Sequence, residues 1–267
     1  MMVITHASKV CVIKSTAVHF SRKTMKTAVL LLTCVTVAVR GLDLPFQKCE
    51  RSTPNLNECM KSAIQDALPI LKRGLPEFQF ESIEPIRIES LTIGEGKGAV
   101  HVVQNYKNVE IHNVQTAKVE RVDAVITDDE FKVVADLTIK DVHMNAQYSL
   151  NGNILMLPIN GEGDCAVDLE DLKATFTMIG EMFEKDGKKY MELKTFNVSL
   201  VPGLVEFNFE NLFSGERQLG DEMNKLLNEN WRKIYLDVRA AYEEALGAVF
   251  KSIANLIFKK IPYDEMF

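Results

Sequence analysis

Three groups of residues in this chain have types suited to chemistry, and each points to a different reaction. Gly94-Glu-Gly-Lys-Gly98 offers the unhindered backbone amides that hold a phosphate. A phosphate loop, however, joins a strand to a helix N-terminus, and this one lies between two strand-like runs. Asp128-Asp129-Glu130, and Glu162 with Asp164, gather oxygen ligands of the kind calcium takes. Neither follows the EF-hand spacing, and both read as solvated turns. His101, His112 and His143 supply imidazole, but they are scattered over strand-like stretches without the HxxxH or CxxC spacing of a zinc site. No GxSxG elbow, no HExxH helix and no histidine near a cysteine pair provides an activated nucleophile. The expectation is a protein without catalytic residues, metal or cofactor, and so not an enzyme.

Cysteine chemistry depends on compartment, which the first residues address. They carry no Asp or Glu, and Lys26 is followed by the apolar run Ala28 to Val39 and then Arg40-Gly41. Basic, apolar, then small is the order of a secretory signal. The run would span about 18 Å as a helix against a hydrocarbon core of about 30 Å, too short for a lasting membrane anchor. The sequence thus predicts a leader over 1–41, its signal core at 25–41 with Met25 as an alternative start, and a single domain over 42–267. Six of the 31 basic residues lie in that leader, so its removal takes the net charge from −6 to −12. An acidic surface disfavours nucleic acid and anionic membranes. In an oxidising compartment Cys49 and Cys59 should bridge, closing a small loop ahead of the first helix, and Cys165 is left as an inert core thiol. Asn197-Val198-Ser199 is a glycosylation sequon, with Asn197 the acceptor.

These residues need a scaffold, and the hydropathy pattern supplies one. Leu56, Met60, Ile64, Leu68 and Leu71 recur at helical spacing, and Gly74 and Pro76 end the run. From Ile86 to about Phe209 every second residue is apolar, as in Phe131, Val133, Ala135, Leu137 and Ile139, which predicts a long antiparallel meander. Asn151-Gly152-Asn153 is predicted as one of its tight turns. From Glu216 to Lys260 a broad apolar stripe runs at helical period through Leu219, Met223, Leu226, Leu227, Ile234, Val238, Ala245, Val249, Ile253 and Ile257. One continuous helix of that length measures about 67 Å. Gly220 and Gly247 interrupt its stripe, which is too broad for a coiled-coil seam and suits a helix wrapped by the sheet. The fold class is therefore α+β, and an elongated core between a curled sheet and a helix leaves room for a dry apolar gap.

Several short segments, in order, carry a resemblance. Cys49 and Cys59 bracket the start of the first helix, and Leu-Pro-Glu-Phe at 75–78 leads into Ile86-Arg87-Ile88. Leu-Met-Leu-Pro-Ile-Asn-Gly-Glu-Gly follows at 155–163, then Leu219-Gly220, Leu-Asn-Glu-Asn-Trp at 227–231 and the ending Pro-Tyr-Asp-Glu-Met-Phe at 262–267. Across the mature chain the sequence resembles the insect takeout and juvenile hormone binding protein group. The resemblance implies a long C-terminal helix wrapped by a highly curved antiparallel sheet, with a lipophilic tunnel between them. It implies a secreted monomeric carrier of juvenile hormone-like terpenoids, fatty acids or similar lipids, found in haemolymph or sensory fluid and linked to circadian, feeding or chemosensory physiology. Cys49–Cys59 would be the family's amino-terminal disulfide. Moth hormone carriers look to have a second one, and Cys165 has no mature partner, which places the chain nearer the takeout branch. Phe131, Met144, Tyr148, Trp231 and Tyr235 are the candidates for lining the tunnel. The competing expectation is a secreted signalling or interaction module with a filled core, acting through its acidic surface. A hydrolase of hormone esters would need a nucleophile and base that the chain lacks.

Overall fold

Helical apolar spacing produces α1 over Leu56–Arg73, and Gly74 stops it at φ 78°, where a Cβ would lie 1.8 Å from the Glu81 carbonyl oxygen. The computed structural model describes residues 45–267; the predicted leader over 1–41, with Cys11 and Cys34, lies outside them. Seven antiparallel strands follow α1: β1 Ile86–Ile93, β2 Val100–His112, β3 Lys118–Ile126, β4 Phe131–Ile154, β5 Leu157–Lys185, β6 Lys188–Val201 and β7 Leu204–Phe209. The chain ends with α2 over Arg217–Glu229, α3 over Trp231–Phe258 and α4 over Tyr263–Met266.

Two very long strands organise the sheet. β4 and β5 pair from Phe131↔Gly180 to Ile154↔Leu157, and each divides its outer flank between two shorter strands. β2 pairs with β4 over residues 143–154 and β3 over 131–138. On β5, β7 takes 165–170 and β6 takes 173–185. One half of the sheet therefore runs β1-β2-β4-β5-β7 and the other β3-β4-β5-β6.

Open strand edges need partners for their N–H and C=O groups, and helix side chains supply them. On α2, the Asn228 amide accepts the Phe207 N–H (2.7 Å) and donates to the Phe207 carbonyl (3.0 Å), as a neighbouring strand would. Asn224, one turn earlier, does the same for Phe209 at 2.9 Å each way. On α3, Asn255 brackets Leu193 of β6, and Leu200 donates its N–H to Glu243 while accepting the Tyr235 hydroxyl. On α1, Gln65 bonds the Val119 N–H and the Ala117 carbonyl at the edge of β3.

The two halves are filled differently. At the β3–β6 half Phe131 packs against Phe258 and Phe267, with ring centroids 6.0 and 5.5 Å away, and Tyr263 lies 5.2 Å from Phe267. Phe131 and Tyr263 are essentially inaccessible there, as are Met191, Leu193 and Ile261. The cavity described below belongs to the other half. Cys49 and Cys59 form a disulfide, and Cys165 is free and buried. Among the described residues no helix is long and apolar enough to cross a membrane.

Two sequence expectations are corrected. The helix expected over Glu216–Lys260 is two helices broken at Asn230, whose backbone leaves helical geometry (φ −110°, ψ 15°) while its side-chain amide donates to the Leu226 carbonyl. That local bond competes with continuation of the helix, so α3 alone measures about 42 Å. The turn expected at Asn151-Gly152-Asn153 is strand: those residues pair with Val103, Val102 and His101, and the hairpin turns at Leu155-Met156, both at positive φ. Gly152 serves close approach, since its Cβ would sit 2.2 Å from the His101 carbonyl oxygen. Gly247, within α3, lets the helix touch β6, where a Cβ would lie 2.5 Å from the Phe196 carbonyl oxygen.

The two helical glycines therefore predict opposite responses. Gly247→Ala should lower stability by about 1–3 kcal/mol, because backbone must shift. Gly220→Ala meets nothing within 4 Å and should raise it by up to about 1 kcal/mol through helix propensity. Urea unfolding of both variants checks the contrast, and equal effects would contradict it. Replacing Cys49 and Cys59 together by Ser should cost about 2–3 kcal/mol through the freed loop, read as a lower denaturation midpoint.

Candidate functional site

Beneath α3 the β1–β2–β4–β5–β7 half encloses a cavity of about 130 Å³. Its helical wall is a single ridge at i, i+4 spacing, Ile234, Val238, Tyr242, Leu246 and Phe250, with Tyr235 beside it. Sixteen residues of rise make that wall about 24 Å long, so the space is a slot. Inward positions of the strands face the ridge, among them Val100, Met144, Leu150, Val167 and Phe209. At the far end the Phe250 ring lies 5.8 Å from that of Phe176 and 5.9 Å from that of Phe196, centroid to centroid, and beyond that aromatic wall lies the filled half. Of 26 lining side chains only Gln104, Tyr235 and Tyr242 carry nitrogen or oxygen. A void with such walls stays dry and takes apolar guests.

Two of those three belong to one buried cluster. The Gln104 Oε1 accepts from the Tyr242 hydroxyl at 2.8 Å and the Tyr106 hydroxyl at 2.9 Å, and the two hydroxyls are 2.8 Å apart. Gln104 is 7 % exposed and Tyr106 1 %. Burial raises both tyrosine pKa values well above the usual range, so the hydroxyls stay protonated donors. Tyr235 donates to the Leu200 carbonyl at 2.9 Å, and burial pushes its pKa up to about 12. Burial likewise pushes the Cys165 thiol up to about 12, which suppresses thiolate reactivity.

The candidate lining residues separate. Met144 and Tyr235 are in the wall of the slot. Phe131 is in the filled half, beyond the aromatic wall. Tyr148 packs edge-on against Phe209, at 5.0 Å and 80°, and donates to the Glu210 carbonyl, so Phe209 reaches the cavity and Tyr148 stands behind it. Trp231 begins α3 half-buried, with the Arg232 guanidinium 5.0 Å from its ring, and is not in the lining. Asn197 is exposed on β6.

The groups weighed for chemistry also find places. The histidines are less scattered than their spacing suggests, because His112 and His143 are cross-strand partners with ring centroids 6.1 Å apart, paired with Glu84 and Asp168. Among the described residues no group of three or more His, Cys, Asp or Glu could hold a metal ion. The loop at Gly94–Gly98 does cradle an anion, but one supplied by the chain. The Asp237 carboxylate on α3 accepts the Lys97 N–H at 2.9 Å and the Val100 N–H at 2.7 Å. Burial opposes its charge, yet the amides from Lys97 to Val100 prevail and hold its pKa below the usual carboxylate range. Gln104 is the residue that motif reading passes over; its signal is an amide among the inward-facing Val100, Val102, Tyr106 and Val109 of β2.

The fold and the sequence have known counterparts. The Epiphyas postvittana Takeout 1 crystal structure superposes with a TM-score of 0.71 at 24% identity, covering 82% of this chain and 98% of that one, and so shares the fold. The circadian clock-controlled protein daywake of Drosophila melanogaster is 25% identical over 242 residues, 88% of this chain and 92% of its own. Its Drosophila yakuba counterpart is 24% identical over 237 residues, covering 86% and 90%. The family model for haemolymph juvenile hormone binding protein matches residues 29–267, and the chain belongs to that family.

Proposed function

We propose that the chain is a secreted, monomeric carrier that withdraws a hydrophobic small molecule from water into the slot beneath α3. A juvenile hormone-like terpenoid, a fatty acid or a similar lipid fits the lining. The observation that carries this reading is that an elongated void is bounded by side chains with almost no polar atoms. Apolar burial contributes about 25 cal/mol per Å², so a guest hiding about 300 Å² gains about 7 kcal/mol before association costs. Membership of the juvenile hormone binding family supports the ligand class. The Cys49–Cys59 bridge supports an oxidising, extracellular compartment, and Asn197 is the proposed glycan acceptor. The description of the fly relatives as circadian clock-controlled supports a place in rhythmic physiology. In this reading the protein works by partition alone, without catalysis, metal, cofactor, nucleic acid or stable membrane insertion. No observation favours the filled-core signalling module over it.

A hydrophobic naphthylamine probe should bind the purified protein at one saturable site and be displaced by terpenoid esters or fatty acids. No displacement by any lipid, together with native mass spectra of the bare chain alone, would overturn the carrier reading. Val238→Phe fills the slot one helical turn from its centre and should weaken probe binding by about tenfold or more, about 1.4 kcal/mol, with the melting temperature unchanged or raised. Unaltered binding in that variant would put the guest elsewhere.

A further inference from the structure

We propose that Gln104 determines specificity, selecting ligands whose hydrogen-bond acceptor, an ester or ketone oxygen, lies in the middle of the molecule between two apolar arms. The proposal rests on the carrier reading and adds the shape and polarity of the guest.

The polarity follows from donor and acceptor counting. In the cluster of Gln104, Tyr106 and Tyr242 the amide oxygen accepts both hydroxyl protons, at 2.9 and 2.8 Å, and the 2.8 Å approach of the two hydroxyls to each other is left without a proton of its own. What remains is the Gln104 Nε2 with its two N–H donors, which have no hydrogen-bond partner among the described residues. Gln104 is 7 % exposed yet lines the cavity. A donor that opens on a dry apolar void finds an acceptor in a guest that carries one and none in a hydrocarbon. A guest that is itself a donor gains nothing there.

The shape follows from position. Tyr242, which Gln104 contacts, is the central member of the ridge, eight residues after Ile234 and eight before Phe250. About 12 Å of apolar wall therefore extends to each side of the donor. The flanking residues Ile234 and Val238 on one side, and Leu246 and Phe250 on the other, offer no second nitrogen or oxygen. An acceptor at the end of a long chain reaches Gln104 only by leaving one arm of the slot empty and crowding the other.

Octyl nonanoate and methyl hexadecanoate are isomeric esters with nearly equal hydrophobicity, one with its carbonyl at the centre and the other at the end. Both, with octadecane as the hydrocarbon control, should be titrated against the naphthylamine probe on the full chain. Wild-type protein is expected to bind octyl nonanoate about tenfold more tightly than methyl hexadecanoate or octadecane. Gln104→Met, nearly equal in volume, should reduce that preference to about twofold or less while still binding the probe. The carbonyl stretch of bound, isotope-labelled octyl nonanoate should fall below its value in hexane, a reading that needs no variant. Equal binding of the two isomers, an unshifted carbonyl, or a preference that survives in Gln104→Met each overturns the proposal while leaving the carrier reading intact. Failure of the probe and all three lipids to bind the wild-type chain overturns both.

Discussion

The constraint on which the rest of this structure depends is that a strongly curved sheet with strands of unequal length has edges, and edge amides must be satisfied. A closed barrel would remove the edges by pairing first strand with last. This chain instead lays helices along them and lets carboxamide side chains act as strand surrogates. Asn224 and Asn228 are one helical turn apart, Phe207 and Phe209 are two residues apart in a strand, and the two repeats, roughly 6 Å and 7 Å, are close enough for consecutive bidentate contacts. Asn255, Glu243 and Tyr235 do the same along β6. Helix placement is thereby fixed by directional bonds at the rim, and the space inside need not be filled for the helices to stay where they are.

That division explains how one end can be solid and the other hollow. Where α1, α4 and the C-terminal aromatic residues converge, aromatic packing fills the interior, with Phe131 against Phe258 and Phe267 and Tyr263 against Phe267. Past the aromatic wall at Phe176, Phe196 and Phe250, the rim bonds and the close approach of Gly247 to β6 position α3, and the ridge from Ile234 to Phe250 faces open space. Unfilled apolar volume ordinarily costs stability because lining atoms lose dispersion partners. A guest restores them, which is the thermodynamic sense in which an empty carrier is poised to bind.

Much of the architecture was legible from periodicity. Alternation marked the strands, helical spacing marked α1 and the C-terminal stripe, and the cysteine spacing marked the disulfide. Failures arose where two elements meet. Asn151-Gly152-Asn153 has the composition of a turn, but its glycine answers to the backbone of β2, a distant contact that local composition does not encode. Gly247 likewise answers to Phe196. Asn230 broke the helix through its own side chain, a signal present in the sequence and outweighed by the continuing stripe. Hydrophobicity and position mark Met144 and Tyr235, which lie in the cavity wall. Phe131, Tyr148 and Trp231 satisfied the same criteria and went elsewhere, because aromatic bulk marks core without saying which end of the core is hollow. Gln104 broke the apolar rhythm of its strand and was passed over for want of a charged or nucleophilic neighbour.

The loop between β1 and β2 has the makings of an anion receptor, yet its receptor is self-occupied. Asp237 is flanked in α3 by Leu236 and Val238, so the carboxylate that plugs the loop and a side chain that walls the slot are adjacent beads on one helical turn. The solvent-facing glycine segment and the interior wall consequently share a mechanical linkage, and neither can be displaced as a unit without dragging the other.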